Sequence, residues 1–139
     1  MRRVVLGIVL IAASAALMVA ERPKPTRTKA VAVAFYNERR VLARGGQDEL
    51  NSFQYYFKQI QRIAARDFPG MELKVLQRGQ LVHLPDGTNL NVDTMRPDLG
   101  YVLSEQGKKK RVLTGVQSDA DFACAASRFY KRPSSSCPK

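Results

Sequence analysis

The sequence predicts a mixed α/β domain in which a parallel βαβ unit and an antiparallel ββα unit share one central sheet with flanking helices. An N-terminal hydrophobic signal or anchor helix precedes it. Three observations predict this. Val4 to Ala20 (VVLGIVLIAASAALMVA) carries no charge and follows Arg2 and Arg3. The run AVAVAFY leads into a stretch with helical periodicity and then a second short alternating run. From Arg96 to Phe122, RPDLGYVLSEQGKKKRVLTGVQSDADF gives a proline, an apolar strand, a glycine turn, a second strand and a capped helix start.

The first segment is a targeting signal, with a positive start and an apolar body. Its uncharged run lies at the lower edge of the ~17–25 residues that a membrane-spanning helix needs, so cleavage and retention as an anchor both stay open. Residues 21–29 (ERPKPTRTK) hold Pro23 and Pro25 among mostly basic charges and read as an extended linker. The folded domain is expected over 30–132, with 133–139 as a C-terminal tail. A domain of roughly 100 residues can bury a core, with a modest stability margin.

Ala30 to Tyr36, nearly continuous in apolar residues and rich in valine and aromatics, has the pattern of a central strand covered on both faces. NERRVLARGG follows and is read as a polar loop. Asp48 or Asn51 is the expected cap of a helix whose Leu50, Phe53, Phe57, Ile60 and Ala64 step by three and four, until Pro69 and Gly70 stop it. Met71 to Leu76 (MELKVL) is a second strand, parallel to the first because a helix connects them. In LVHLPDGTNLNV, Pro85, Asp86 and Gly87 separate two short alternating runs, which favours a small hairpin. A second hairpin joins Leu99 to Leu103 with Arg111 to Val116 across SEQGKKK. Ser118 and Asp121 then stand at the first and fourth positions of a capping box, and the helix they start places Phe122, Ala125, Ala126 and Phe129 on one face before Pro133.

This order resembles the thioredoxin-like fold. The likeness is carried by Pro97, which stands where that family keeps a cis-proline, by the strand YVL, the turn at Gly107, the strand end TGV and the helix start SDADF. The resemblance implies a redox centre of the form Cys-x-x-Cys just after the first strand, where a helix N-terminus stabilises a thiolate. That place is held by Asn37 to Gly46, which contains no sulfur. The family's attacking group is therefore missing, and 79–95 departs as well, with a hairpin where the family has a helix.

Cys124 and Cys137 are the two cysteines. At 100 degrees per residue Cys124 points about 200 degrees away from Phe122, toward the outer flank where the tail can reach it. In an oxidising compartment the pair is expected to form a structural disulfide closing a loop of about 14 residues. His83 is the sole histidine and alternation puts it opposite Val82 and Leu84, on a solvated face. No spacing ties Asp86, Asp93 or Asp98 to it as a catalytic partner. Turn chemistry accounts for Asp86 and Gly87 without calcium, and neither a metal nor a cofactor is expected. The formal net charge of +11 draws the chain toward anionic surfaces. Its basic groups fall in two places, Arg39, Arg40 and Arg44 after the first strand, and Lys108, Lys109, Lys110 and Arg111 at a hairpin tip; either is a candidate anionic-surface site. Tyr55 or Tyr56, beside the core stripe of the first helix, is a candidate partner contact.

These readings lead to an exported, non-catalytic thioredoxin-like binding or accessory protein, periplasmic or extracellular or held at the membrane through residues 4–20. Its expected partner is another protein or an anionic envelope component. Nucleic acid is not expected, since no zinc-finger, RNA-binding or helix-turn-helix pattern is present. Two alternatives stay open: an oxidoreductase working through Cys124 and Cys137, and a basic protein whose role is to bind anionic membranes.

Overall fold

The computed structural model describes residues 29–139, so the expected signal or anchor helix and residues 21–28 of the linker lie outside the described residues. Strand β1 (Ala30–Tyr36) is followed by a short helix α1 (Glu38–Ala43), a long helix α2 (Gln47–Asp67) and strand β2 (Met71–Leu76). Strands β3 (Leu81–His83) and β4 (Asn89–Asn91) form a separate hairpin. A 3-10 turn at Val92–Thr94 then leads to β5 (Leu99–Glu105), β6 (Arg111–Thr114) and helix α3 (Asp119–Tyr130). The main sheet has the order β2-β1-β5-β6. β2 runs parallel to β1, and β5 runs antiparallel to it, with Ala30 opposite Met71 on one side and Glu105 on the other. The expected βαβ and ββα units are both present, with β1 central.

Alternation along β1 divides the core. Ala30, Ala32 and Ala34 face α2 and α3, where they meet Leu50, Phe53, Ile60, Tyr101 and Phe122. Small residues on this face let two helices approach the sheet closely. Val31, Val33 and Phe35 face the other way, where Leu84, Leu90 and Val92 of the hairpin layer cover them. Helices thus cover one face, and a two-stranded hairpin with its 3-10 turn covers the other. Among the described residues no helix is long and apolar enough to cross a membrane.

Three expectations are corrected. The segment read as a polar loop contains α1, which Asn37 caps by accepting from the Arg40 amide at 3.2 Å. In consequence Asp48 and Asn51 lie inside α2 rather than at its cap, which is Gly46. The tight α1–α2 turn requires a glycine there, because the Gly46 amide bonds Val41 O at 2.9 Å and an added Cβ would lie 2.8 Å from Val41. On the helix stripes, Phe57 and Phe129 are only half-buried, whereas Ile63 and Tyr130 are buried, the Tyr130 hydroxyl donating to Val31 O at 2.7 Å. α3 opens with the Ser118–Asp121 capping box expected from the sequence and ends at a left-handed Lys131.

Candidate functional site

The disulfide joins Cys124, on the half-buried flank of α3, to Cys137, whose Cα lies 4.7 Å away. Cys137 packs against the helix-side core, and the tail around it is tied to the far end of α2. Ser134 Oγ donates to Asp67 Oδ2 at 2.7 Å, and Arg66 bonds both Asp67 and Ser136. The Arg66 guanidinium, helped by the Ser134 hydroxyl, pulls the Asp67 carboxyl down to about 2. Residues 133–139 are therefore a docked part of the fold. They sit at the start of β2, away from the loop after β1 where the family resemblance would place thiols.

Pro97 precedes β5 as expected, but its peptide bond is trans, as are all those described. An X–Pro bond favours trans by about 0.5–1 kcal/mol unless its surroundings impose the other isomer. Beside it, Asp98 is a hub. Its carbonyl accepts from the Asn37 amide at 2.7 Å and its carboxylate accepts from Arg44 Nε at 2.8 Å. Arg44 also reaches Glu49, and these two acids, Glu49 first, hold its guanidinium well above the usual arginine range. Arg40 spends its fork on backbone, donating to Val92 O at 2.9 Å and to Met95 O at 3.1 Å. Two of the three arginines expected to await an anion thus clamp the 92–98 segment onto α1. Helix α1 itself brings this about, by turning their side chains inward over that segment. Arg39 stays exposed.

The lysine tip divides in the same way. Lys108 Nζ pairs with Glu105 at 2.8 Å, donates to Phe129 O at 2.8 Å and sits over the Phe129 ring, so it is structural. Lys110 Nζ donates to Thr88 Oγ1 at 3.1 Å and links the two hairpins. Lys109 and Arg111 are exposed. The two basic groups are not brought together, because the seven residues of β1 separate them by about 20 Å. His83 is exposed, with Nδ1 against Asn89 Oδ1. Asp86 accepts from the amide and hydroxyl of Thr88, Asp93 from the Gly79 amide.

A feature that the sequence reading touched only through Tyr55 lies along β2. This strand ends the sheet, so half of its backbone groups point away from β1. A depression of about 580 Å³ flanks it on the helix side, lined by Tyr36, Gln54, Tyr55, Phe57, Lys58 and Val75 among others. A second, of about 380 Å³, flanks it on the hairpin side and includes Lys74, Val75, Leu81 and Val82. Val75 belongs to both. It is 43% exposed, Leu81 57% and Tyr55 61%, high values for large apolar side chains. Tyr55 was an expected contact residue; Val75 and Leu81 were missed. The chain matches no family model, no curated protein and no solved structure.

Proposed function

We propose that this is an exported, non-catalytic binding or accessory protein of the cell envelope, with a thioredoxin-like layout, that holds an extended segment of a partner protein along β2. The observation that carries this reading is Val75, an exposed apolar residue on a sheet edge that no strand among the described residues pairs with, flanked by a depression on each side. A peptide strand added there would satisfy the outward backbone groups of β2, and its alternate side chains would enter the two depressions. Lys58 on the helix side favours an acidic residue in that peptide, and on the hairpin side Lys74, which pairs with Glu72 in the free protein, can turn to a second one. The disulfide is read as a staple, since Cys137 is packed into the fold and the tail is bonded to Asp67.

Selection from a library of extended peptides tests this. Selected sequences should alternate apolar and acidic residues, shift the amide resonances of Glu72 to Leu76, and lose at least about tenfold in affinity on Val75→Lys, equivalent to ~1.4 kcal/mol. Selected peptides that map to another surface would remove the β2 site. Reduction of insulin disulfides by the purified chain, abolished by Cys124→Ser, would remove the non-catalytic reading.

A further inference from the structure

The two ends of the central sheet differ in charge. At the end where β1 runs out toward Asn37, acids balance the cations: Arg44 pairs with Asp98 and Glu49 and Arg40 with Asp98 and two carbonyls, while Arg39, Arg78 and Arg96, exposed and without an ion pair among the described residues, are offset by Glu38, Asp48, Asp93, Asp119 and Asp121 at the same end. At the other end, where β1 begins, Lys29, Lys109, Lys110, Arg111, Lys131 and Arg132 gather. Several contacts bring them there. Ala30 pairs with Glu105 and the Gln106 amide donates to Lys29 O, which sets the 106–110 turn beside Lys29. The Tyr130 hydroxyl on Val31 O draws in the end of α3, and Arg132 donates to Pro69 O just before β2. Three acids at this end are paired with other cations, Glu105 with Lys108, Asp67 with Arg66 and Glu72 with Lys74, which leaves Asp86, bonded to Thr88, as the acid that offsets the six cations just named. Lys109, Arg111 and Lys131 are exposed, and none has an acidic partner within 4.0 Å among the described residues.

Lys29 is also where the preceding 28 residues, with the charge-free run Val4 to Ala20, join the domain. The point of attachment and the uncompensated charge therefore coincide. From this we infer that the end of the sheet where β1 begins docks on an anionic lipid bilayer, with Lys109, Arg111 and Lys131 against the headgroup phosphates. The inference rests on the cell-envelope reading above and adds the docking surface and its lipid chemistry. The opposite end lies about 20 Å away, beyond the ~8 Å over which charge acts at physiological salt, so it contributes little. Docking in this way points the outlets of β1 and β2, and with them Arg39 and Arg78, away from the bilayer.

The full chain in lipid nanodiscs carrying a gadolinium-chelating headgroup lipid provides the test. In discs containing phosphatidylglycerol, amide signals of Gly107 to Arg111 and Lys131 should broaden while those of Arg39, Leu42 and Arg78 persist. Added salt, or the triple variant K109E/R111E/K131E, should remove the difference and leave chemical shifts elsewhere unchanged. Each cation near the surface contributes roughly 1 kcal/mol, or about fivefold in local affinity. Equal broadening at both ends, broadening at the Arg39 end, or the same pattern in pure phosphatidylcholine would overturn the inference while leaving the envelope reading in place. A chain that associates with neither kind of disc would likewise overturn the inference, and the envelope reading, which holds whether residues 4–20 are cleaved or retained, would stand or fall on the insulin and peptide tests above.

Discussion

Two buried tyrosines show how one hydroxyl changes its meaning with its neighbours. Tyr130 donates to Val31 O at 2.7 Å, whereas the Tyr101 hydroxyl is buried with no partner among the described residues. Losing a satisfied buried bond costs about 1–2 kcal/mol, while removing an unsatisfied hydroxyl is neutral or stabilising. Urea unfolding should therefore show Tyr130→Phe destabilised by about that amount and Tyr101→Phe at or above the parent stability. Burial pushes both phenols above the ordinary tyrosine range. The folded state thus favours their neutral forms, so their contribution is intact below about pH 10 and is lost as pH rises past it, where the unfolded chain ionises first. Replacing both tyrosines with Phe should flatten the alkaline limb of the stability profile.

Among the elements, α1 has the largest influence relative to its length. It converts Arg40 and Arg44 from free cations into fasteners for the chain between the hairpin and β5. Arg40→Ala leaves Val92 O and Met95 O without that donor, and charge-assisted bonds of this kind are worth about 1.5–3 kcal/mol. Faster amide exchange over 92–98 and a stability loss of about 2 kcal/mol are the expected results. Arg40→Lys should recover only part of it, because an ammonium cannot span both carbonyls as the fork does. Neither variant should change the affinity for anionic membranes. The helix was legible in principle: Asn37 is a strong cap residue and Glu38 suits a first turn. The two arginines and the GlyGly after them obscured it, since they read equally well as a polar loop.

The molecule as a whole is closed by its tail. The disulfide fastens Cys137 to α3 while Ser134 and Ser136 bond the end of α2, so the tail bridges two helices that pack on the same sheet face. Opening a loop of about 14 residues costs about 3 kcal/mol in the chain-entropy account. Urea unfolding with and without reductant should differ by roughly that much, with Cys124→Ser matching the reduced protein. A difference below about 1 kcal/mol would mean that the polar contacts of the tail, and not the covalent bond, hold it in place.

The sequence by itself determined that the described chain is mixed α/β and that AVAVAFY is central, and it raised the two hairpins after the βαβ unit and the pairing of the two cysteines as expectations that the structure meets. Each of these depends on a local pattern: alternation, helical period, turn residues, or two thiols on reachable flanks. Only the tertiary structure decided which charges are free and which apolar side chains are exposed. MELKVL alternates whether it is central or at an edge, so strand order alone exposes Val75. RRVLAR is basic in either setting, but the carbonyls and carboxylates of a segment more than fifty residues away consume two of its three charges. Local pattern fixes backbone conformation over a few residues, whereas exposure and net charge at a surface depend on contacts between distant parts of the chain.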